Sequence, residues 1–97
     1  MTDQSENFVW IFSGAKRHFP GAVFTARATA EAWIAKNRLT GTLTRYPIDI
    51  GAYEWALERG LFQPRNPHEF EPEFIGGFSD GGMEHYHYEA GERTPQP

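Results

Sequence analysis

The segment Glu84-His-Tyr-His-Tyr-Glu89 carries the residue types best suited to chemistry in this chain. Side chains alternate along a strand, so on a strand His85, His87 and Glu89 share one face. Two imidazoles and a carboxylate can ligate a transition metal, and one reading of the chain is therefore a metal-dependent enzyme built on His85, His87 and Glu89. A cupin also places a His-x-His on a strand after glycines, here Gly81 and Gly82. The cupin pattern then departs: its carboxylate comes several residues later and a long barrel with another His follows. The structural alternative is an edge strand that packs Tyr86 and Tyr88 inward and leaves its His face in solvent.

Other chemistry finds less support. Ser13-Gly14 lacks the flanking pattern of a nucleophile elbow, and Gly76-Gly77 and Gly81-Gly82 precede no helix that could cradle phosphate. Glu69, Glu71 and Glu73 lie in a proline-rich connector, a poor frame for holding two acids at a fixed separation. His18 belongs to a basic loop tip with Lys16 and Arg17, and His68 lies among prolines. No catalytic residue and no cofactor is expected.

Charge and aromatic content point to binding instead. The 97 residues carry no cysteine, which excludes a disulfide framework and a thiolate zinc site, and a net charge of −4, which argues against nonspecific nucleic-acid binding. Residues 1–53 hold six basic and four acidic side chains, a balance of +2, whereas residues 54–97 hold three and nine, a balance of −6. Such asymmetry can steer a basic partner onto one surface. The expected contact set is Glu69, Phe70, Glu71, Glu73, Phe74, Phe78, Asp80 and Glu84, aromatics rimmed by acid as protein interfaces favour. The leading reading is a noncatalytic protein-binding module, of immunity, antitoxin or regulatory type, that engages a basic protein. A homodimer that scaffolds through an open sheet edge is a further reading. No apolar run reaches membrane-spanning length, and the opening MTDQSEN is polar where a secretory signal would be basic then apolar, so the cytosol is the expected compartment.

The elements that would position these residues follow from periodicity. Residues 8–13 read as a strand with Phe8, Trp10 and Phe12 on one face and Val9 and Ile11 on the other, covered on both sides. Residues 21–25 give a second strand. From Ala26 to Arg38 the chain is helical, with Ala30, Trp33 and Ile34 facing the sheet and Glu31 outward. Thr40 to Tyr46 gives a third strand. Asp49 is the expected N-cap of a helix over residues 50–59, with Ile48 and Tyr53 as a hydrophobic staple and Gly60 as left-handed terminator. Residues 73–79 and 84–89 are expected to pair as a hairpin around Asp80-Gly-Gly-Met83.

The predicted architecture is thus α+β: a single small domain of order ββαβα followed by a C-terminal β-hairpin, with two helices packed on one face of an antiparallel or mixed sheet. Residues 8–90 form the domain, residues 1–7 a disordered arm and residues 91–97 a disordered tail. The core is expected to include Trp10, Phe12, Val23, Phe24, Trp33, Ile34, Leu43, Tyr53, Ala56, Leu57 and Leu61.

The spacing of Val9-Trp10-Ile11-Phe12-Ser13-Gly14, Phe19-Pro20, Glu31-Ala32-Trp33-Ile34, Leu39-Thr40-Gly41-Thr42-Leu43, Trp55-Ala56, Gly60-Leu61-Phe62 and His85-Tyr86-His87-Tyr88 resembles a family of small uncharacterised bacterial domains. The resemblance implies one α+β module over residues 8–89 and no assigned activity. Small acidic bacterial proteins of this kind are often encoded beside toxins or effectors as immunity partners, which is an analogy of context.

Overall fold

A continuous run of aromatic and β-branched residues from Phe8 to Phe12 suits a pleated strand. It forms β1 (Phe8–Gly14) in the computed structural model, which describes residues 7–16, 19–80 and 82–95. β2 (Ala22–Phe24) returns antiparallel, with Trp10 opposite Phe24 and Phe12 opposite Ala22. There follow α1 (Arg27–Asn37), β3 (Gly41–Pro47), α2 (Ala52–Glu58), a 3-10 turn (Pro67–Phe70), α3 (Pro72–Gly76), β4 (His85–Glu89) and β5 (Glu92–Arg93). The strands form one antiparallel sheet in the order β2-β1-β3-β4-β5, so the domain is α+β as expected. Among the described residues no helix is long and apolar enough to cross a membrane.

Pairing of β3 with both β1 and β4 decides which side chains meet. Phe12, Leu43 and Tyr86 lie in one cross-strand row, and Ile11, Thr44 and His85 in the next, facing the other way. α1 covers the first face: Ala30 and Ile34 are fully buried against Trp10, Phe12, Leu43 and Tyr88, with Trp33 edge-on to Phe12 at 5.6 Å. Each large apolar side chain removed from water there contributes about 1.5–3 kcal/mol. Glu31, expected outward, instead accepts a 2.6 Å hydrogen bond from the Tyr88 hydroxyl and ties α1 to β4. α1 ends where Arg38 turns left-handed, with Leu39 N–H on the Ile34 carbonyl and Arg38 N–H on that of Ala35, the Schellman arrangement.

The opposite face is only partly covered. Val9 and Ile11 are half-buried and belong to neither core cluster, and Val23 is 60% exposed, so β1 is buried on one side rather than two. A second core gathers at the end of the sheet, where Trp55, Ala56 and Met83 are buried against Phe8, Tyr46, Phe62 and Phe78. α2 supplies Trp55 and Ala56, and its other side leaves Leu57 exposed. Leu61 is likewise exposed, so Val23, Leu57 and Leu61 are not core, while Met83 and Tyr88 are.

Three expected features lie elsewhere. Asp49 does not cap α2: the β1–β3 ladder runs on to Phe8–Pro47 and Ile48 N–H still donates to the Asn7 carbonyl. The chain can therefore turn only over residues 48–50, with Asp49 itself at positive φ, and the N-cap is Gly51. Ile48 is exposed, which removes the staple. Residues 73–79 are no strand, because Pro72 opens α3 and the apolar Phe74, Ile75 and Phe78 are spaced for a helix side. The closing hairpin is β4–β5, with Glu89 opposite Glu92 and positive φ at both Ala90 and Gly91, a two-residue turn of the twist that hairpins favour. Glu92 and Arg93, expected in a frayed tail, are thus paired with β4. Residues 1–6, Arg17, His18, Gly81 and residues 96–97 lie outside the described residues.

Two outcomes test this packing. Gly41 faces Gly14 and Tyr88 across its two neighbours, and a Cβ there would collide with the Ser13 carbonyl oxygen and lie 2.8 Å from the Phe12 ring. Gly41→Ala should lower unfolding free energy by about 2–3 kcal/mol in a denaturant titration, since the obstacle is backbone and a core ring. Burial first, and then the hydrogen bond to Glu31, raise the Tyr88 hydroxyl well above its ordinary 10.0. A group whose pKa is raised on folding keeps its stabilising contribution below the unfolded value and loses it above. Stability should fall as pH rises past 10, and the fall should be shallower in Tyr88→Phe.

Candidate functional site

The connector after α2 acquires its shape from aromatic packing. Tyr53, Phe62, Phe74 and Phe78 form a four-ring cluster in which every ring contacts the other three, at centroid separations from 4.9 to 6.2 Å. His68 stands edge-on to Phe74 at 5.8 Å. Each such pair adds about 0.5–1.5 kcal/mol beyond area burial, so the segment is held despite its short elements.

Polar contacts fix the 3-10 turn on this cluster. The Tyr53 hydroxyl donates to the Glu69 carbonyl oxygen at 2.9 Å. The Glu69 carboxylate accepts the amides of Arg65 at 2.6 Å and Asn66 at 3.2 Å in a capping box, with Pro67 at the first position of the turn. The Arg65 and then the Asn66 amide lower the Glu69 carboxyl below its ordinary 4.5. Phe70 closes the turn and is 61% exposed, in contact with no other ring among the described residues. Glu71 and Glu73 follow it, exposed and without an ion pair among the described residues. Beside them His68, Glu71, Glu73 and Phe74 line a shallow hollow of about 190 Å³.

The eight residues read from the sequence as a contact set therefore separate. Phe70, Glu71 and Glu73 form an exposed patch. Glu69 is occupied in capping, and Phe74 and Phe78 are half-buried in the ring cluster beneath. Asp80 accepts the Gly82 amide at 2.8 Å and closes a turn. Glu84 lies on the sheet face that carries α1, where it pairs with Arg27 at 3.6 Å and Arg45 at 3.7 Å and accepts the Tyr86 hydroxyl at 2.6 Å. Its charge is spent on the fold.

That sheet face also holds an arginine–aromatic group that sequence spacing did not reveal. The Arg45 guanidinium lies 3.6 Å from the centre of the Phe8 ring, and Arg27 and Arg93 lie 4.8 and 4.6 Å from that of Tyr86. Arg27 donates to the Tyr86 hydroxyl oxygen at 2.7 Å. The hydrogen bond to Glu84 raises the Tyr86 hydroxyl above its usual range, with burial adding to it. Cation–π contact of this kind contributes about 0.5–1 kcal/mol at exposed sites.

His85 and His87 stand on the less covered face, their rings edge-on at 5.1 Å. His85 Nδ1 lies 2.7 Å from the Met83 carbonyl oxygen and His87 Nδ1 lies 3.3 Å from Thr42 Oγ1. Glu89 does not join them. It sits at the β4–β5 turn, opposite Glu92. Among the described residues no three His, Cys, Asp or Glu side chains are gathered around a common point.

A family model described as Domain of unknown function (DUF7710) matches residues 9–94. Neither the curated proteins nor the solved structures give a match.

The cap on the 3-10 turn has a pH signature. A carboxyl lowered on folding contributes stability that is present above its unfolded value and lost as pH falls through the folded one. The Arg65 and Asn66 amide resonances should therefore move together with Glu69 below pH 4.5 in an NMR titration. In Glu69→Gln that joint movement should vanish.

Proposed function

Starting from a chain that belongs to the domain-of-unknown-function family DUF7710, we propose a noncatalytic, cytosolic protein-binding module that engages a basic partner through Phe70, Glu71 and Glu73. The observation that carries this reading is the rigid presentation of an exposed ring. Phe70 is 61% exposed, yet the backbone on either side is held by the Tyr53–Glu69 hydrogen bond, the capping box and Pro67 and Pro72. Ordering side chains and loops on association costs affinity, so an anchor held in place before contact binds at a smaller loss. An aromatic at the centre of a patch with charge at its rim is the usual anatomy of a contact surface.

Charge supports the sign of the partner. Glu71 and Glu73 carry uncompensated negative charge beside Phe70, which favours approach of a lysine- or arginine-rich surface with an apolar pocket for the ring. The narrower idea of an immunity-type protein that blocks a toxin or effector rests on the analogy with small acidic bacterial proteins.

The test uses the full chain immobilised without a tag near the patch and exposed to extract of the source cell. One basic protein should be retained in stoichiometric amount. Phe70→Ala should weaken retention about tenfold or more while leaving unfolding free energy within about 0.5 kcal/mol, because the ring is exposed. Glu71→Lys with Glu73→Lys should weaken it further and flatten its salt dependence, and Glu92→Lys on the far edge should not. Retention unaltered by Phe70→Ala would sink the assignment.

A further inference from the structure

We infer that His85 and His87 form a two-imidazole chelate for a divalent transition-metal ion of the zinc or nickel type, on the less covered face of the sheet. Alternation along β4 puts both rings on one side, and the pairing with β3 sets His85 beside Thr44 and His87 beside Thr42.

The hydrogen bonds decide which nitrogen is available. A carbonyl oxygen only accepts, so the 2.7 Å contact with Met83 places the proton of His85 on Nδ1. The lone pair of the neutral ring is then on Nε2. His87 Nδ1 lies 3.3 Å from Thr42 Oγ1, a hydroxyl that can donate or accept, and in the tautomer whose Nδ1–H donates to it the lone pair of His87 is also on Nε2. A metal-binding histidine is commonly oriented by a hydrogen bond from its second ring nitrogen to a carbonyl or other acceptor; His85 meets that requirement before any ion arrives, and His87 meets it in its Nδ1–H tautomer.

The spacing agrees with bonding to one ion. With metal–nitrogen bonds of about 2.0–2.1 Å and a ring centre about 1.1 Å beyond, two imidazoles at a tetrahedral angle have centres roughly 5 Å apart. The observed separation is 5.1 Å, with the ring planes at 85°. Since no third His, Cys, Asp or Glu among the described residues reaches the pair, the remaining positions face water. A hollow of about 230 Å³ beside His85, lined also by Thr44, Tyr46 and Asp80, gives them room. The site is thus an open one, able to accept a further ligand.

Calorimetric titration of the untagged full chain with zinc chloride, and separately nickel chloride, in a non-coordinating buffer tests this. One ion per chain is expected, and imidazole NMR signals of His85 and His87 should shift together. His85→Ala and His87→Ala should each weaken binding about tenfold or more, the loss of a second tethered ligand. Glu89→Gln and His68→Ala should bind as the unaltered chain does. His87→Gln, which keeps a polar side chain on this exposed position, should repeat the loss without a change in denaturation midpoint. No heat and no imidazole shift at millimolar metal overturns the proposal, as does an ion whose affinity is unaltered in both histidine variants.

Discussion

The register in which β3 pairs with its two neighbours governs the molecule. β1 and β4 are far apart in sequence, and β3 is the strand that joins them. One register sets Phe12, Leu43 and Tyr86 toward α1 and, in the alternate rows, Thr44 with His85 and Thr42 with His87 away from it. A slip of one residue would exchange the faces, burying threonines and histidines under α1 and exposing Leu43. Burial of Leu43 to 0% and the close approach at Gly41 oppose such a slip. The hydrophobic core and the paired histidines are therefore fixed by the same set of backbone hydrogen bonds.

The second half of the chain solves a different problem. Between α2 and β4 the chain has a four-residue 3-10 turn and a five-residue helix, neither long enough to be stable alone. Stability has to come from contacts made across the segment. The four-ring cluster supplies them, and Tyr53 serves both ends, packing tilted against Phe62 and edge-on to Phe74 and Phe78 while its hydroxyl holds the Glu69 carbonyl. This arrangement lets a proline-rich connector present Phe70 without itself being a large element.

Much of this was legible in the sequence where period and burial agree. β1, β2, α1 and β3 follow from alternation and from the Ala30, Trp33, Ile34 spacing, and Gly60 does terminate α2 at positive φ. The reading failed where two local signals competed. Phe74, Ile75 and Phe78 beside two glycines suggested a strand, but Pro72 and Glu73 are the first-turn residues of a helix, and the tertiary ring cluster favoured that alternative. Ala90-Gly91 escaped notice because alanine is an uncommon choice for the first left-handed position of a tight hairpin. Of the candidate site, Phe70, Glu71 and Glu73 could be read from composition, whereas the engagement of Glu84 by Arg27 and Arg45 could not. Those arginines are 57 and 39 residues away, and only the sheet brings them together.

The same pairing changes what the charge asymmetry means. In sequence the excess of acid begins after residue 53, which suggests a basic half facing an acidic half. In space Arg45 of the first half and Arg93 of the second lie over aromatic rings on one sheet face, with Glu84 among them. The positive charge is laid over rings and a carboxylate, where it gains cation–π and ionic contact, with Arg27 and Arg45 sharing the single carboxylate of Glu84. Glu71 and Glu73 have no such counterpart among the described residues, so their charge beside Phe70 is offset by no ion pair there. Glu54, Glu58, Glu89 and Glu92 are exposed and likewise lack an ion pair among the described residues, so what sets the turn apart is the exposed ring beside its carboxylates and not the charge alone.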